Sequence, residues 1–143
     1  MIYNNGRSAT DLLGNITRFG DGRRATRNQT QPVEYAVGRQ WVSRYVITNA
    51  GGTEFQTELR FRIVGREKIT VPAGTFECFR IEGKGLSRAV FGSVNVTFTN
   101  NAWMAPELCR ASIRREVTRT IYRPRGSELL DNDRFELERF KQG

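Results

Sequence analysis

The stretch VGREKITVPAGTFECFRIEG, residues 64–83, decides the fold of this chain. Two runs of alternating apolar and polar residues flank a corner built from a proline and a glycine. Pro72 supplies the fixed φ of a turn's second position, and Gly74 can adopt the left-handed conformation of its fourth. This composition is typical of a type I turn closed by a glycine bulge. The sequence therefore predicts a β-hairpin here, with Pro72 and Gly74 as structural turn residues.

The same two-residue period extends upstream of this hairpin. Phe55, Leu59, Phe61 and Ile63 alternate with polar residues, as in a strand with one buried and one solvated face. Residues 40–48 precede a turn at 49–52 and form a hairpin with that strand. Further strands are predicted at 89–99, 110–122 and 134–141, with an irregular connection at 99–108 and a polar hairpin loop at 123–133.

About seven antiparallel strands with short connections predict an all-β meander. We expect it to form a strongly curved sheet, either a sandwich or a partly open barrel. A chain of 143 residues is one domain by size. Residues 1–33 have the composition of a linker and predict an N-terminal arm or edge strand, and residues 34–143 predict a single β domain.

The charge balance of the chain is strongly basic, at +8, and 20 of its 23 basic residues are arginine. Arginine suits phosphate and carboxylate ligands, and a positive domain attracts anions such as nucleic acid or anionic lipid. The basic residues are scattered along the chain and form no block. Solvated surface cations are therefore the favoured interpretation.

The residue types needed for common catalysis are largely missing from this sequence. The chain has no histidine, which removes the usual general base and the commonest metal ligand. No phosphate-loop, dinucleotide or zinc motif occurs. We expect a non-enzymatic protein without a metal or cofactor, and a carboxylate pair of the glycosidase type stays an alternative that spacing does not test.

Two cysteines, Cys78 and Cys109, lie in or next to predicted strands. If those strands are neighbours in an oxidising compartment, a disulfide would contribute roughly 3 to 4 kcal/mol. The equally weighted alternative is two buried thiols that act as small apolar side chains.

Arg115 and Arg119 share the alternation phase of Ile113, Val117 and Ile121, so two cations point towards the predicted interior. A buried charge without a partner is too costly to persist. Three arrangements would resolve this conflict. The arginines pair with glutamates, a bulge turns them outwards, or they line a wet cavity that holds an anionic ligand.

Most aromatic residues are spread over the predicted strands and belong in a core. Trp41 and Trp103 are nevertheless candidates for contact with a ligand, together with Arg115 and Arg119. A solvent-facing stripe of aromatic and arginine residues would instead indicate a binder of single-stranded nucleic acid. No such cluster occurs in the sequence, which makes nucleic acid the less favoured partner.

The chain starts with MIYNNGRSATD, which is polar within a few residues and contains no apolar signal-peptide segment. Either the protein is cytosolic or the sequence begins after processing. The longest apolar runs are only a few residues, so no transmembrane segment is predicted.

Four motifs in order resemble a group of uncharacterised bacterial envelope proteins of the TapB-like kind: VGRQWVSRY at 37–45, VGREKITVPAGTFECFRIEG at 64–83, WMAP at 103–106 and RFELERF at 134–140. The resemblance covers most of the chain, and residues 64–79 are its most specific part. Residues 107–112, ELCRAS, depart from the family pattern, in which a glycine and a lysine follow the proline turn.

The resemblance implies an antiparallel sheet curved like that of the lipoprotein-carrier superfamily, in proteins that are usually exported and sometimes lipid-anchored. It implies no established activity, and it places the protein in the periplasm or outside the cell. The residues that match the family pattern all read as structural: Glu67, Pro72, Ala73, Gly74, Phe76, Trp103 and Pro106.

The leading hypothesis is an envelope domain that binds a hydrophobic or amphiphilic ligand, or a protein partner, on the concave face of its sheet. It predicts a cavity lined by aromatic residues. The alternative is a basic β module that binds nucleic acid or another polyanion. Because open sheets have edge strands that can pair, the sequence is compatible with a monomer or an edge-paired dimer.

Overall fold

The computed structural model describes residues 2–3, 8–10, 15–19, 21–92, 94–108, 112–123 and 126–138. Every regular element within these ranges is a β-strand, and no helix occurs among them. The strands form one antiparallel sheet in which each strand pairs with its neighbours in sequence. The sheet is strongly curled into a half-barrel. The predicted all-β curved meander is therefore confirmed.

Ten strands make up the sheet: β1 (Ile2–Tyr3), β2 (Ser8–Thr10), β3 (Ile16–Arg18), β4 (Arg24–Ala25), β5 (Gln40–Thr48), β6 (Glu54–Val71), β7 (Gly74–Ala89), β8 (Asn95–Met104), β9 (Ser112–Arg123) and β10 (Gly126–Glu136). The first four contain only two or three residues each, whereas β6 has 18 residues and β7 has 16. The long β6–β7 hairpin is thus the centre of the sheet.

A two-residue turn closes the β6–β7 hairpin. Pro72 and Ala73 form the turn, and Val71 pairs with Gly74 across it. Gly74 has a φ of 136°, which a residue with a Cβ adopts only with strain. The proline and the glycine thus occupy the positions that their backbone preferences favour.

The hairpin contains one register shift, between Ile63 and Gly65, where Val64 is an extra residue on β6. An extra residue reverses which face the following side chains occupy. Ile63 consequently packs on one face of the sheet and Ile69 on the other. Because of this shift, both faces of the sheet contain a hydrophobic cluster.

We call the face that carries Ile63 the inner face. Its cluster consists of Leu59, Phe61, Ile63, Phe79, Ile81 and Met104. The chain before β5 packs against this cluster: Tyr35 lies with its ring centroid 5.4 Å from that of Phe79. Trp41 stacks on Phe61 at a centroid distance of 5.2 Å and donates its indole N–H to the carbonyl of Gln29 at 2.8 Å.

The outer face carries the second cluster, which lies around the tip of the β6–β7 hairpin. It consists of Ile69, Val71, Cys78, Trp103, Ala105 and Ile113. Leu137, which follows β10, packs against it. The Leu137 carbonyl accepts a hydrogen bond from the Ala73 N–H at 3.1 Å, and its N–H donates to the Ile113 carbonyl at 2.9 Å. These bonds tie the end of β10 to the hairpin tip.

Two glycines on the inner face of β7 make room for apolar side chains of β6. A Cβ on Gly83 would lie 2.7 Å from a ring carbon of Phe61. A Cβ on Gly85 would overlap Leu59 Cδ2 and the carbonyl oxygen of Glu58. The glycines of GKG at 83–85 therefore have a packing role, because their lack of a side chain lets β6 side chains lie directly over the backbone of β7.

Two predicted boundaries are wrong. The strand expected at 89–99 is interrupted at 90–94 and continues instead through Met104, because residues 95–104 pair with both β7 and β9. The loop expected at 123–133 is mostly strand β10. Gly126, with a φ of 140°, starts β10 close to the end of β9, and residues 126–136 then pair with β9.

None of the described residues forms a helix long and apolar enough to cross a lipid bilayer.

We expect Gly85→Ala to lower the free energy of unfolding by about 2 to 3 kcal/mol, since the new methyl group collides with backbone as well as with Leu59. The matched control is Gly65→Ala, where no atom lies within 4 Å of the added Cβ. Urea unfolding curves of both variants measure the effect. Equal midpoints for the two variants would contradict the close approach of β6 and β7.

Candidate functional site

The inner face of β9 carries the two arginines that the sequence places towards the interior. In the strand register, Arg115 lies opposite Ala102 of β8, and Arg119 lies opposite Phe98. Residues paired in this way point to the same face of a sheet. Phe98 and Ala102 both pack against the inner cluster, so both arginines belong to the inner face.

A register shift in β9 explains why these arginines do not face outwards. The shift falls between Trp103 and Met104 of β8, opposite Ser112 to Arg114 of β9. It places Ile113 in the outer cluster, although the sequence pattern put Ile113 in phase with Arg115. The bulge thus moves the apolar residue to the outer face and leaves the arginines on the inner one.

The guanidinium of Arg115 is surrounded by protein. Burial lowers its pKa, the positive charge of Arg23 lowers it further, and Tyr45 opposes both effects. The residue as a whole keeps part of its solvent exposure. The Arg115 side chain is therefore largely desolvated, although part of the residue stays accessible to solvent.

Tyr45 and Arg115 reach each other because the sheet is curled. They lie on β5 and β9, which are separated by three strands. In a flat sheet these two strands would be roughly 19 Å apart. An electrostatic effect between the two side chains requires that β5 and β9 approach each other across the inner face.

Burial raises the pKa of Tyr45 to about 12, while the positive charges of Arg115 and Arg23 oppose the rise. The phenol is consequently neutral at physiological pH. It can donate or accept a hydrogen bond there, but it does not neutralise the charge of Arg115.

The charged partners of the β9 arginines differ from one residue to the next. Arg114, on the outer face, lies with Nε 3.2 Å from a carboxylate oxygen of Glu136. Arg119 has an interaction partner of its own and lies opposite Asp131 in the register. No ion pair among the described residues includes Arg115. Of the three arrangements that the sequence left open, carboxylate pairing is thus not found for Arg115 within the described part of the chain.

A polar atom without a partner lies next to this region. Asn100 is on the inner face, opposite Gly83 of β7 and Val117 of β9. Its Oδ1 is buried and has no hydrogen-bond donor within the described chain. A buried acceptor of this kind costs about 1 to 3 kcal/mol unless a donor is supplied.

Sequence reasoning missed Asn100 for an identifiable reason. The predicted strand ends at Thr99, and Asn100 is the next residue after Val96 and Phe98 in the same alternation phase. Because the strand continues to Met104, Asn100 is a polar residue on an apolar face. Asn100 continues the two-residue spacing of Val96 and Phe98, and this continuation is the sequence signal that would have identified Asn100 as an inner-face residue.

The two tryptophans predicted to contact a ligand lie on opposite faces of the sheet. Trp41 covers the inner cluster. Trp103 is buried in the outer cluster, where its indole N–H donates to Glu67 at 2.6 Å. The structure brings Trp41 to the same face as Arg115 and Arg119, but it separates Trp103 from them.

Trp103 lies in a dense set of outer-face contacts. The guanidinium carbons of Arg80 and Arg114 lie 5.6 and 5.5 Å from the indole centroid. Arg80 also lies 3.4 Å from a carboxylate oxygen of Glu67. These contacts hold the hairpin tip against β8 and β9, which is a structural arrangement.

Cys78 is buried in the outer cluster, and its Sγ donates to the carbonyl of Phe76 at 3.7 Å. Cys109 lies outside the described residues. The disulfide between Cys78 and Cys109 therefore stays a prediction.

Taken together, Arg115, Arg119, Tyr45 and Asn100 give the inner face two cations, one neutral hydroxyl and one buried acceptor beside its apolar side chains. Such a set can bind an anionic group and hydrogen-bond to a neighbouring donor. It offers no general base. Within the described ranges, no group of three or more His, Cys, Asp or Glu residues is placed to hold a metal ion.

A family model described as DUF3108-like matches residues 44–116, about half of the chain, from β5 to β9. The chain belongs to the DUF3108-like family. The match confirms the predicted membership in an uncharacterised family, and it includes the candidate site residues Arg115, Tyr45 and Asn100. No curated protein and no solved structure matches the chain.

Two adjacent arginines of this DUF3108-like protein should respond to mutation with opposite signs. We expect Arg115→Met to raise the free energy of unfolding by about 1 kcal/mol or more, because it removes a desolvated charge. Arg114→Met should lower it by about 1 to 2 kcal/mol, because Arg114 also donates to the Thr70 carbonyl at 3.2 Å. Chemical denaturation of both variants measures this. Destabilisation by Arg115→Met would show that its charge is compensated.

Stability should fall in alkaline solution through Tyr45. Its pKa in the folded protein is about 12, above the ordinary tyrosine value of 10.0, so the unfolded chain loses this proton first. The protonated phenol makes its full contribution to the free energy of unfolding below pH 10, and this contribution is lost as the pH rises towards 12. The loss should reach about 2 kcal/mol.

Denaturation of wild type and Tyr45→Phe over this pH interval tests that expectation. The Tyr45→Phe variant should show the smaller alkaline loss of stability. Tyr122→Phe, which removes an exposed hydroxyl, is the control and should behave as wild type. Identical pH profiles for wild type and Tyr45→Phe would contradict the burial of the phenol.

Proposed function

We propose that this protein is a non-catalytic binding domain that takes up an amphiphilic ligand with an anionic headgroup on the inner face of its sheet. One observation carries the proposal. Arg115 is a desolvated cation beside the apolar cluster of the inner face, and no carboxylate among the described residues pairs with it.

The energetics of burial support a ligand at this position. A charge inside a protein is expensive unless it is paired, and such charges therefore concentrate where a ligand supplies the opposite charge. Val117 and Ile121, which flank Arg119 on the same strand face, would contact an apolar part of the ligand. The inner face thus offers one binding feature for each half of an amphiphile.

The buried acceptor of Asn100 adds a chemical detail. An anionic group alone would satisfy Arg115 but would repel the Oδ1 of Asn100. A ligand that carries a hydroxyl or amide N–H near its anionic group would satisfy both residues. A headgroup with a donor beside a carboxylate or phosphate therefore fits better than a simple fatty acid.

The location of the protein is part of this proposal. The resemblance of residues 64–83 and 103–106 to TapB-like envelope proteins supports a periplasmic or extracellular site, where amphiphiles are abundant. An intact mass two hydrogens below the sequence value, measured without reductant, would support an oxidising compartment through a Cys78–Cys109 disulfide. The sequence mass itself would count against it.

The first test is native mass spectrometry of protein purified gently from its own source. We expect an adduct of lipid-like mass on wild type that is reduced or lost in Arg115→Met. Arg62→Met is the matched control, because Arg62 is an exposed arginine on the outer face of β6. A bare wild-type chain, or equal adducts on all three proteins, would contradict ligand binding at Arg115.

The second test separates headgroup recognition from general hydrophobic uptake. A fluorescent long-chain carboxylate and the matching alcohol are titrated into wild type, Arg115→Met and Arg62→Met. Wild type should prefer the carboxylate by about tenfold or more, since hydrogen bonds to charged groups are the stronger ones. The preference should disappear only in Arg115→Met. Equal affinity of wild type for both probes would rule out the anionic headgroup.

A further inference from the structure

A second binding feature lies on the outer face, on the other side of the sheet from Arg115. Strands β5, β6 and β7 form an open groove of about 860 Å³ there. Its lining includes four exposed cationic residues: Arg44, Arg60, Lys84 and Arg88. A volume of this size falls within the range of small-molecule sites in proteins.

Two of these cations oppose each other directly. Arg60 of β6 pairs with Lys84 of β7 in the antiparallel register. Directly opposite residues have Cβ atoms about 5 Å apart, and like charges in such pairs destabilise a sheet. A site that binds an anion between the two strands would turn this unfavourable pair into a favourable one.

The groove lining contains a single carboxylate, that of Glu58, which contacts two of the arginines. Glu58 accepts a hydrogen bond from Arg44 Nε at 2.8 Å, and a second Glu58 oxygen lies 3.3 Å from Arg60 Nη2. These two arginines lower the pKa of Glu58, so it is ionised at neutral pH. Glu58 therefore orders the two guanidinium groups beside the groove and offsets only one of the four positive charges.

Glu58 does not neutralise the charges of Lys84 and Arg88. Neither takes part in an ion pair among the residues that the structure describes. They are four residues apart on one strand, which corresponds to about 13 Å along β7. A single small anion cannot contact both, whereas a ligand with two separated anionic groups can.

We propose that the outer groove binds a ligand that carries at least two phosphate groups. One phosphate lies between Arg60 and Lys84, and a second contacts Arg88. The same chemistry occurs in a soluble polyphosphorylated compound and in a bisphosphorylated lipid headgroup. The aromatic residue in the groove lining, Tyr45, directs its side chain to the inner face, which argues against stacked bases of a single-stranded nucleic acid in the groove.

The probe for this proposal is inorganic tripolyphosphate, measured by isothermal titration calorimetry at low salt. We expect saturable binding of one molecule per chain, tighter than that of inorganic phosphate, with affinity that falls as salt is raised. The double variant Lys84→Gln with Arg88→Gln should weaken binding about tenfold or more. Arg115→Met should leave it unchanged, so the result is independent of the inner-face site.

Arg62→Gln is the matched control, because Arg62 lies on the same face of β6 but does not line the groove. It should bind the probe as wild type does. If Arg62→Gln weakens binding as much as a single Lys84→Gln change does, net charge attracts the probe. That result would overturn the proposed binding in the groove. The absence of binding heat, or equal affinity for phosphate and tripolyphosphate, would also overturn the proposal.

Two further ligands identify the source of the phosphates. Vesicles that contain a bisphosphorylated lipid and displace tripolyphosphate would identify a lipid headgroup, and vesicles that do not would identify a soluble compound. Tighter binding of a single-stranded oligonucleotide, with the same loss in the Lys84 and Arg88 double variant, would overturn the small-ligand proposal in favour of nucleic acid.

Discussion

The extra residue Val64 in the central hairpin is the constraint on which the arrangement of the whole sheet depends. Without it, Ile63 and Ile69, which are six residues apart on β6, would lie on the same face of the sheet. With it, the half of the hairpin near the turn buries its outer face, and the other half buries its inner face. The sheet therefore needs cover on both sides, which the chain before β5 and the segment after β10 provide.

This division explains why the inner face can hold polar residues without collapse of the fold. The contacts around Trp103 and the hairpin tip anchor β6 to β9 on the outer face. Polar residues beside the inner cluster, such as Arg115 and Asn100, are tolerated because these outer-face contacts stabilise the same strands. Proteins commonly accept such local costs where they bind ligands, because stability elsewhere compensates for them.

The sequence was most informative where one signal was local and strong. The alternation from Phe55 to Ile63 and the corner at Pro72 and Gly74 were sufficient to predict strands, hairpin and fold class. The strand β10 was not predicted because its exposed polar residues, such as Asn132, Asp133 and Arg134, lack apolar alternation. Pairing with β9, which no local pattern reveals, is what makes this segment a strand.

The candidate sites were harder to predict because both depend on register. The inward direction of Arg115 followed from alternation, but its separation from carboxylates depends on which strands meet across the curled face. The groove is a clearer case. Counting back from the turn, in which Val71 pairs with Gly74, would place Arg60 opposite Gly85, whereas the shift at Val64 places it opposite Lys84. One residue thus determines whether two cations meet.

The order of the strands has a mechanical consequence. Each described strand pairs only with the strands before and after it in the sequence. A pulling force applied to the two ends would load the outermost strand pairs first and separate them one pair at a time. The short strands β1 to β4 would detach before β5, and the β6–β7 hairpin, with the longest ladder, would be the last unit to open. The protein should therefore extend in several small steps under force, with its central hairpin as the final point of resistance.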